Sequence, residues 1–171
     1  ALGGSVLNAT PTVPNFSNTS TQAAQNLDVT RILARYVVKS QWSDIPGSAR
    51  QEASRSMFNW IGCTLGGAPH VTTDRALAAL LEFSGTPEAT ILGRTERLDI
   101  LHGALINGIT SHVLDYDDTH LETIIHPAGP VAAAILALGE RMHTTGEDFM
   151  HAFILGVEVE CRIGKAVYPA H

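Results

Sequence analysis

The chain has 171 residues, of which 44% are hydrophobic and 16% are charged, and its net charge is −6. This length and composition allow one sizeable buried core. The 11 basic residues are scattered along the sequence, which excludes the basic surface that binds nucleic acid or acidic lipid. No apolar run reaches the roughly 18 residues that span a bilayer. We therefore expect a soluble protein with no nucleic-acid or membrane partner.

The first 27 residues carry no charge and are rich in Ser, Thr, Asn, Gly and Pro. A segment of this composition cannot bury enough apolar surface to offset the entropy of ordering it. We predict a flexible leader over residues 1–27 and a folded domain over residues 28–171. The leader lacks the arginines of a mitochondrial presequence. We expect a cytoplasmic protein, or a mitochondrial one if a presequence has been lost.

From residue 28 onward, apolar residues recur at helical spacing. In the first stripe, Val29, Ile32 and Tyr36 fall on one helix face. The same periodicity predicts five more helices, over residues 49–65, 76–81, 98–113, 127–138 and 144–157. The last one starts with Thr144-Thr-Gly-Glu147, a capping-box pattern. Residues 89–93 form one isolated strand or an extended connector, so the pattern favours an all-α helical bundle.

The most unusual segment is Asp115-Tyr-Asp-Asp-Thr-His-Leu-Glu-Thr-Ile-Ile-His-Pro127, with four acids, two histidines and two threonines. If the preceding helix continues through it, Asp115, Asp118 and Thr119 share one face, because side chains three and four residues apart are neighbours on a helix. That arrangement would direct a carboxylate and a hydroxyl to the same side.

The end of this segment predicts the start of a helix. His126 precedes Pro127, and proline is favoured in the first helical turn. We expect the amides of Ala128 and Gly129 to be free at the positive helix end, where they could bind a carboxylate or phosphate. An acid, a threonine and a histidine facing that end would allow general acid–base chemistry on a small carboxylated substrate.

Two other interpretations stay open on the residues alone. The segment is also typical of a solvated helix end with capping acids. It could instead bind a divalent metal ion, although the spacing matches no established metal motif. The ligands of that ion would be Asp115, Asp117, His120 and His126.

Other polar residues are assigned structural roles. His102 and His112 border apolar stripes and are predicted to be structural histidines. Cys63 and Cys161 lie in predicted helices and are predicted to be free, buried thiols. Surface ion pairs are expected among residues at near-helical spacing in the last helix, namely Glu158, Arg162 and Lys165.

Four segments of the chain form a recognisable set: Leu105-Ile-Asn-Gly-Ile-Thr-Ser-His-Val-Leu-Asp-Tyr-Asp-Asp-Thr-His, His126-Pro-Ala-Gly, Gly156-Val-Glu-Val-Glu and Arg162-Ile-Gly-Lys-Ala-Val-Tyr. Together they resemble the MmgE/PrpD family, which includes 2-methylcitrate dehydratases, cis-aconitate decarboxylases and an iminodisuccinate epimerase. The resemblance covers about residues 28 to 171, and its Asp-Tyr-Asp-Asp-Thr…His-Pro signature is specific.

The resemblance implies a homodimer without metal or organic cofactor. Each subunit would have a large all-α domain and a smaller α+β lid, with the active site between them. This chain would be the N-terminal part of the helical domain. The family's pocket residues match Asp115, Thr119 and His126, which disfavours the metal interpretation. We assign catalysis to Asp115 and His126, and substrate binding to Thr119, Asp118, His120, Ala128 and Gly129.

The implied activity is that of a lyase acting on a small di- or tricarboxylate. The loop over residues 119–126 is shorter than in 2-methylcitrate dehydratases and similar in length to that of fungal cis-aconitate decarboxylases, which the segment 162–168 also resembles. A 2-methylcitrate dehydratase or iminodisuccinate epimerase remains the alternative. Family enzymes are considerably longer, and a further pocket histidine, the basic substrate clamps and the lid would lie downstream. We therefore expect an inactive fragment, or alternatively a non-catalytic helical dimerisation module.

Overall fold

The computed structural model describes residues 28–169, so the predicted leader lies outside the described residues. The fold is all-α, as the periodicity predicted. A short 3₁₀ helix, Trp42–Asp44, and a two-stranded antiparallel ribbon of β1 (Ala89–Thr90) and β2 (Arg97–Leu98) accompany the helices. The helices are α1 (Val29–Lys39), α2 (Gly47–Gly67), α3 (Val71–Leu81), α4 (Ile100–His112), α5 (Ala128–Met142) and α6 (Gly146–Val167).

Side-chain caps explain where two of the helices begin. Asp99 caps α4 by accepting hydrogen bonds from the backbone amides of Leu101 and His102. The predicted start at residue 98 is wrong, because Leu98 belongs to β2. Helix α6 is capped by Thr145, which accepts from the Asp148 amide, one residue later than the predicted capping pair.

The charge on Asp99 is stabilised as well. Its carboxylate forms a hydrogen bond with the His102 ring and accepts others from the Gly85 amide and the Ser84 hydroxyl. These bonds, led by the one to His102, hold the pKa of Asp99 well below its usual range. The carboxylate therefore fixes both the start of α4 and the loop before β1.

The second strand of the ribbon was not predicted. β2 has only two residues, too few to produce a periodic pattern. A buried side chain of α4 holds the adjacent segment in place: Asn107 accepts from the Leu92 amide and donates to the Thr90 carbonyl. The ribbon thus depends on a tertiary contact that local sequence does not encode.

Helices α4 and α5 lie at the centre of the bundle, with α2, α3 and α6 packed around them. Trp60 of α2 and Phe153 of α6 are both almost fully buried against the small residues of α5. A second apolar cluster joins α3 and α4 to the ribbon, and its members are Leu77, Ile91, Leu98 and Ile106.

In this described part of the chain, no helix combines the length and apolarity needed to cross a membrane.

The surface groups of α6 match the predictions in part. Arg162 donates to Glu158 at 2.7 Å, as expected from their spacing. Lys165 pairs with Glu122 in the loop before α5 instead. Cys63 is buried and Cys161 is half-buried; both thiols are free, and burial raises the pKa of each.

The ends of α2 and α4 approach so closely that only glycine fits between them. A Cβ atom on Gly67 would lie 2.0 Å from the Thr110 carbonyl oxygen and 2.8 Å from a methyl group of Val113. The hydroxyl of Thr73 in α3 donates to the Gly67 carbonyl and shares a hydrogen bond with the Thr110 hydroxyl. This contact sets the position of the last turn of α4, which leads into the candidate site.

We predict that Gly67→Ala destabilises the fold by about 3 kcal/mol, because the added methyl group meets backbone that cannot move aside. Gly62→Ala in the same helix is the matched control, since a Cβ atom there has no neighbour within 4 Å. The control should stabilise the helix by about 0.5–1 kcal/mol. Thermal unfolding followed by circular dichroism measures both changes, and equal effects would contradict the close approach.

Candidate functional site

The residues singled out in the sequence lie mainly in a loop, not on a helix. α4 ends at His112, and α5 begins at Ala128 after Pro127. Asp115 adopts a left-handed backbone conformation with φ of 53°, which prevents the helix from continuing. The expectation that Asp115, Asp118 and Thr119 share a helical face is therefore wrong. His126 lies beside the N-cap residue, within the predicted range.

Asp117 is the most deeply buried acid of this loop, with its side chain 1% exposed. Both of its carboxylate oxygens lie 3.1 Å from Nδ1 of His112. An ionised carboxylate can only accept hydrogen bonds, so Nδ1 of His112 donates. The buried Asp117 carboxylate is thus hydrogen-bonded to an imidazole at the end of α4.

His126 lies on the other side of the same carboxylate. Its Nδ1 is 3.7 Å from an Asp117 oxygen, too far for a hydrogen bond. This nitrogen is buried and has no hydrogen-bond partner within residues 28–169. Its Nε2 lies 3.9 Å from the exposed carboxylate of Asp115. The rings of His126 and His112 are 5.0 Å apart at their centroids, and we call His112, Asp115, Asp117 and His126 the His–Asp cluster.

A cleft of about 810 Å³ between α3, α4 and α5 ends at this cluster. His112, Asp117 and His126 line its polar end, and no lysine or arginine is among its lining residues in the part of the chain described. The cleft can therefore accept an uncharged or apolar portion of a ligand beside two imidazoles. The rest of its lining is mainly apolar and includes Ala104, Leu105, Ile109, Val113, Pro130 and Ala133.

Asp118 has a structural role that the sequence did not reveal. One of its oxygens accepts from the Ala128 amide at 3.1 Å, and the other accepts from the Ser56 hydroxyl of α2 at 2.8 Å. The expectation of a free Ala128 amide is therefore wrong, because a carboxylate of the chain itself already occupies it. Gly129 is buried, and a Cβ atom there would lie 3.8 Å from Asp117.

Thr119 and His120 lie away from the His–Asp cluster. Together with Asp118 they line a smaller cleft of about 340 Å³ between α2 and α6. Nδ1 of His120 lies 2.7 Å from the Thr123 hydroxyl, inside a tight turn closed by the His120–Ile125 backbone pair. The structure thus brings Asp115 and His126 together, while Thr119 and His120 face the opposite side of the loop.

The smaller cleft is acidic. Glu52, Asp118 and Glu158 are among its lining residues, and no lysine or arginine of the described residues lines it. Near it on α6, burial raises the pKa of Glu160, and the charge of Asp118 adds to the effect. An anionic ligand would be repelled here unless a cation came from elsewhere.

The set of residues that could bind a metal ion also differs from the predicted set. One ligand atom from each member of the His–Asp cluster lies within 4.8 Å of the others, so the cluster could in principle bind a divalent ion. His112 takes the place that the sequence had given to His120, which faces Thr123 instead. Two of the four ligand residues, Asp117 and His112, are already hydrogen-bonded to each other.

His112 is the residue of this site that the sequence did not identify. Its position beside an apolar stripe predicted a structural histidine, yet its side chain is 57% exposed and lines the cleft. The spacing of His112 and Asp117 was the available signal in the sequence. A histidine in the last turn of a helix can contact an aspartate five residues later if the chain turns back after the helix.

The fold and these residues agree with a family comparison. The family model described as the MmgE/PrpD N-terminal domain matches residues 31–171. The chain therefore belongs to the MmgE/PrpD family, and the matched region includes every element from α2 to α6 together with the signature loop.

Similar individual proteins are named cis-aconitate decarboxylase or cis-aconitate decarboxylase-like protein. The cis-aconitate decarboxylase-like protein oryM of Aspergillus oryzae is 26% identical over 89% of this chain and 33% of its own length. The cis-aconitate decarboxylase of Aspergillus terreus is 26% identical over 82% of this chain and 30% of its own. The mouse cis-aconitate decarboxylase is 36% identical over 47% of this chain and 17% of its own. The chain thus spans a third or less of these relatives.

We predict that Asp118→Asn lowers the unfolding free energy by about 1 kcal/mol, because the helix N-terminus loses a charged cap. Asp115→Asn is the matched control: its side chain is 80% exposed, and asparagine tolerates the left-handed backbone. The control should change stability by less than about 0.5 kcal/mol. Chemical denaturation of the two variants measures the difference, and a larger loss for Asp115→Asn would contradict the assignment of Asp118 as the cap.

Proposed function

We propose that this chain contributes one wall of the active site of a lyase that acts on a small di- or tricarboxylate, most like a cis-aconitate decarboxylase. The observation that carries the proposal is the approach of His126 Nε2 to the exposed Asp115 carboxylate, 3.9 Å apart, at the polar end of an apolar cleft. The names of its relatives, cis-aconitate decarboxylase and cis-aconitate decarboxylase-like protein, support the substrate class.

The chemistry needs few groups. In decarboxylation of cis-aconitate, the bond between the methylene carbon and its carboxylate breaks and CO₂ leaves. The electron pair forms a new double bond, and the former double bond takes up one proton at its far carbon. The enzyme must therefore supply one proton and hold the carboxylates in place. We assign a part in the proton transfer to His126 and Asp115.

Substrate binding requires cations that this cleft does not contain. A tricarboxylate beside Asp115 and Asp117 would be repelled, and no lysine or arginine lines the cleft in residues 28–169. The proposal therefore requires basic groups from the remainder of a complete subunit or from a dimer partner. Thr119 lines the smaller cleft on the other side of the loop, so we assign it no contact with a substrate in the larger cleft. No metal or organic cofactor takes part in the proposed reaction.

We predict that His126→Ala in the complete subunit lowers CO₂ release from cis-aconitate by about 10²-fold or more, since a lost proton-transfer group costs 10²–10⁴-fold. His143→Asn serves as the control, because His143 is exposed at the far end of α5 in a left-handed conformation that asparagine accepts. A His126→Ala variant with full activity would exclude His126. Activity only on 2-methylcitrate or iminodisuccinate would select one of the alternative family reactions.

A second candidate function rests on α1. None of its residues is buried, and on one face Val29 and Ile32 are more than half exposed and Tyr36 is more than a third exposed. Such an apolar face favours association, as expected for a non-catalytic dimerisation module. Analytical ultracentrifugation of the 171-residue chain, with added cis-aconitate, separates the two. A dimer that binds no carboxylate and dissociates on Ile32→Asp would favour the module, whereas a dimer unaffected by Ile32→Asp would contradict it.

A further inference from the structure

We propose that Asp117 is a positioning residue that holds His112 as a second proton-transfer group of the site. This inference rests on the proposed function and extends it to two residues outside the family signature pair of Asp115 and His126. His112 would contact the substrate through Nε2, while Asp117 would act only through His112.

The burial of Asp117 is the first reason. A carboxylate removed from water is strongly destabilising unless it is paired and hydrogen-bonded. The Asp117 side chain is 1% exposed, and the partner it has is the His112 ring, at 3.1 Å from both oxygens. No lysine or arginine is paired with Asp117 within residues 28–169. A buried acid with a histidine as its partner is a costly arrangement for structure alone.

The direction of the hydrogen bond is the second reason. Because Asp117 accepts from Nδ1, the proton of a neutral His112 stays on that nitrogen. Nε2 is then unprotonated and available. An aspartate that fixes the tautomer and orientation of a histidine in this way is a recurring device in acid–base catalysis.

The exposure of His112 is the third reason. Its side chain is 57% exposed although its partner is buried, and it lines the cleft together with His126. A histidine that served only to neutralise Asp117 would gain nothing from lining a cleft. The two ring centroids are 5.0 Å apart, close enough for both imidazoles to reach neighbouring atoms of one small substrate.

The proton balance is simple. Nε2 of His112 takes one proton from solvent, which makes the ring an imidazolium beside the Asp117 carboxylate. It then supplies, directly or through the neighbouring His126, the one proton taken up by the substrate carbon that loses its double bond, and the ring returns to the neutral form. The Nδ1 proton remains in the bond to Asp117 throughout, so the carboxylate never becomes protonated.

The two imidazoles differ in how firmly they are held. Asp117 is bonded to His112 but lies 3.7 Å from His126 Nδ1, so it does not fix the His126 tautomer. Two other titratable groups are close: the exposed Asp115 and, from α2, Cys63, whose pKa is raised first by burial and then by the Asp117 charge. We therefore expect the loss of Asp117 to change the tautomer of His112 more than that of His126.

Long-range ¹H–¹⁵N NMR of the complete subunit, labelled at histidine, tests the tautomer without any substrate. The wild type should show His112 protonated at Nδ1 and unprotonated at Nε2 wherever the ring is neutral. Asp117→Asn should remove this preference, and Asp74→Asn, which removes an exposed acid remote from the cluster, should not. A wild-type His112 protonated at Nε2 would overturn the proposal.

Kinetics with cis-aconitate test the catalytic role in the same proteins. Asp117→Asn and His112→Gln should each lower kcat by about 10²-fold or more and change KM by less than about threefold. Full kcat in either folded variant would overturn the proposal, and so would a loss confined to KM. An inactive wild type would overturn the proposed function and the catalytic role together, whereas the NMR result would still decide whether Asp117 fixes His112.

Discussion

The candidate site depends on one hydrogen-bonded carboxylate, that of Asp118. It accepts from the first amide of α5 and from Ser56 of α2, and so joins the loop over residues 113–127 to two helices at once. Its neighbour Asp117 faces the other cleft and meets the two imidazoles there. If this cap were absent, the helix N-terminus would be an open anion site, and the loop would lose its links to α2 through Ser56 and to α5 through Ala128. A structural acid therefore makes the arrangement of the chemical groups possible.

Close packing at glycine residues positions the helices on both sides of this loop. Gly67 allows the last turn of α4 to lie against α2, and a Cβ atom on Gly156 would come within 2.6 Å of a Val131 methyl group, so α5 and α6 also approach closely. These contacts set how closely α4 and α5 lie against their neighbouring helices. The two helix ends present His112 and His126 on either side of Asp117. The stability of the bundle and the geometry of the site are thus set by the same helix contacts.

The helices could be predicted from the sequence because each one has a repeating apolar stripe. The features that could not be predicted all depend on contacts between distant parts of the chain. The strand β2 is held by its partner strand, and the adjacent segment by Asn107. The cap on α5 comes from Asp118, ten positions before Ala128. The apolar periodicity does not indicate that the loop folds back to bring these two residues together. The family resemblance placed Asp115, Thr119 and His126 in one pocket. The structure brings Asp115 and His126 within 3.9 Å of each other but places Thr119 on the other side of the loop, and only the structure shows Asp117 and His112 beside them.

The most direct test of the central claim is the position of a bound polycarboxylate. A crystal structure of the complete subunit with tricarballylate, a saturated tricarboxylate that cannot react, would locate it. We expect the ligand to contact His126 and His112 at the polar end of the larger cleft, with its carboxylates bound by basic groups from outside residues 28–169. A ligand bound in the smaller cleft beside His120, with no contact to His126 or Asp115, would contradict it.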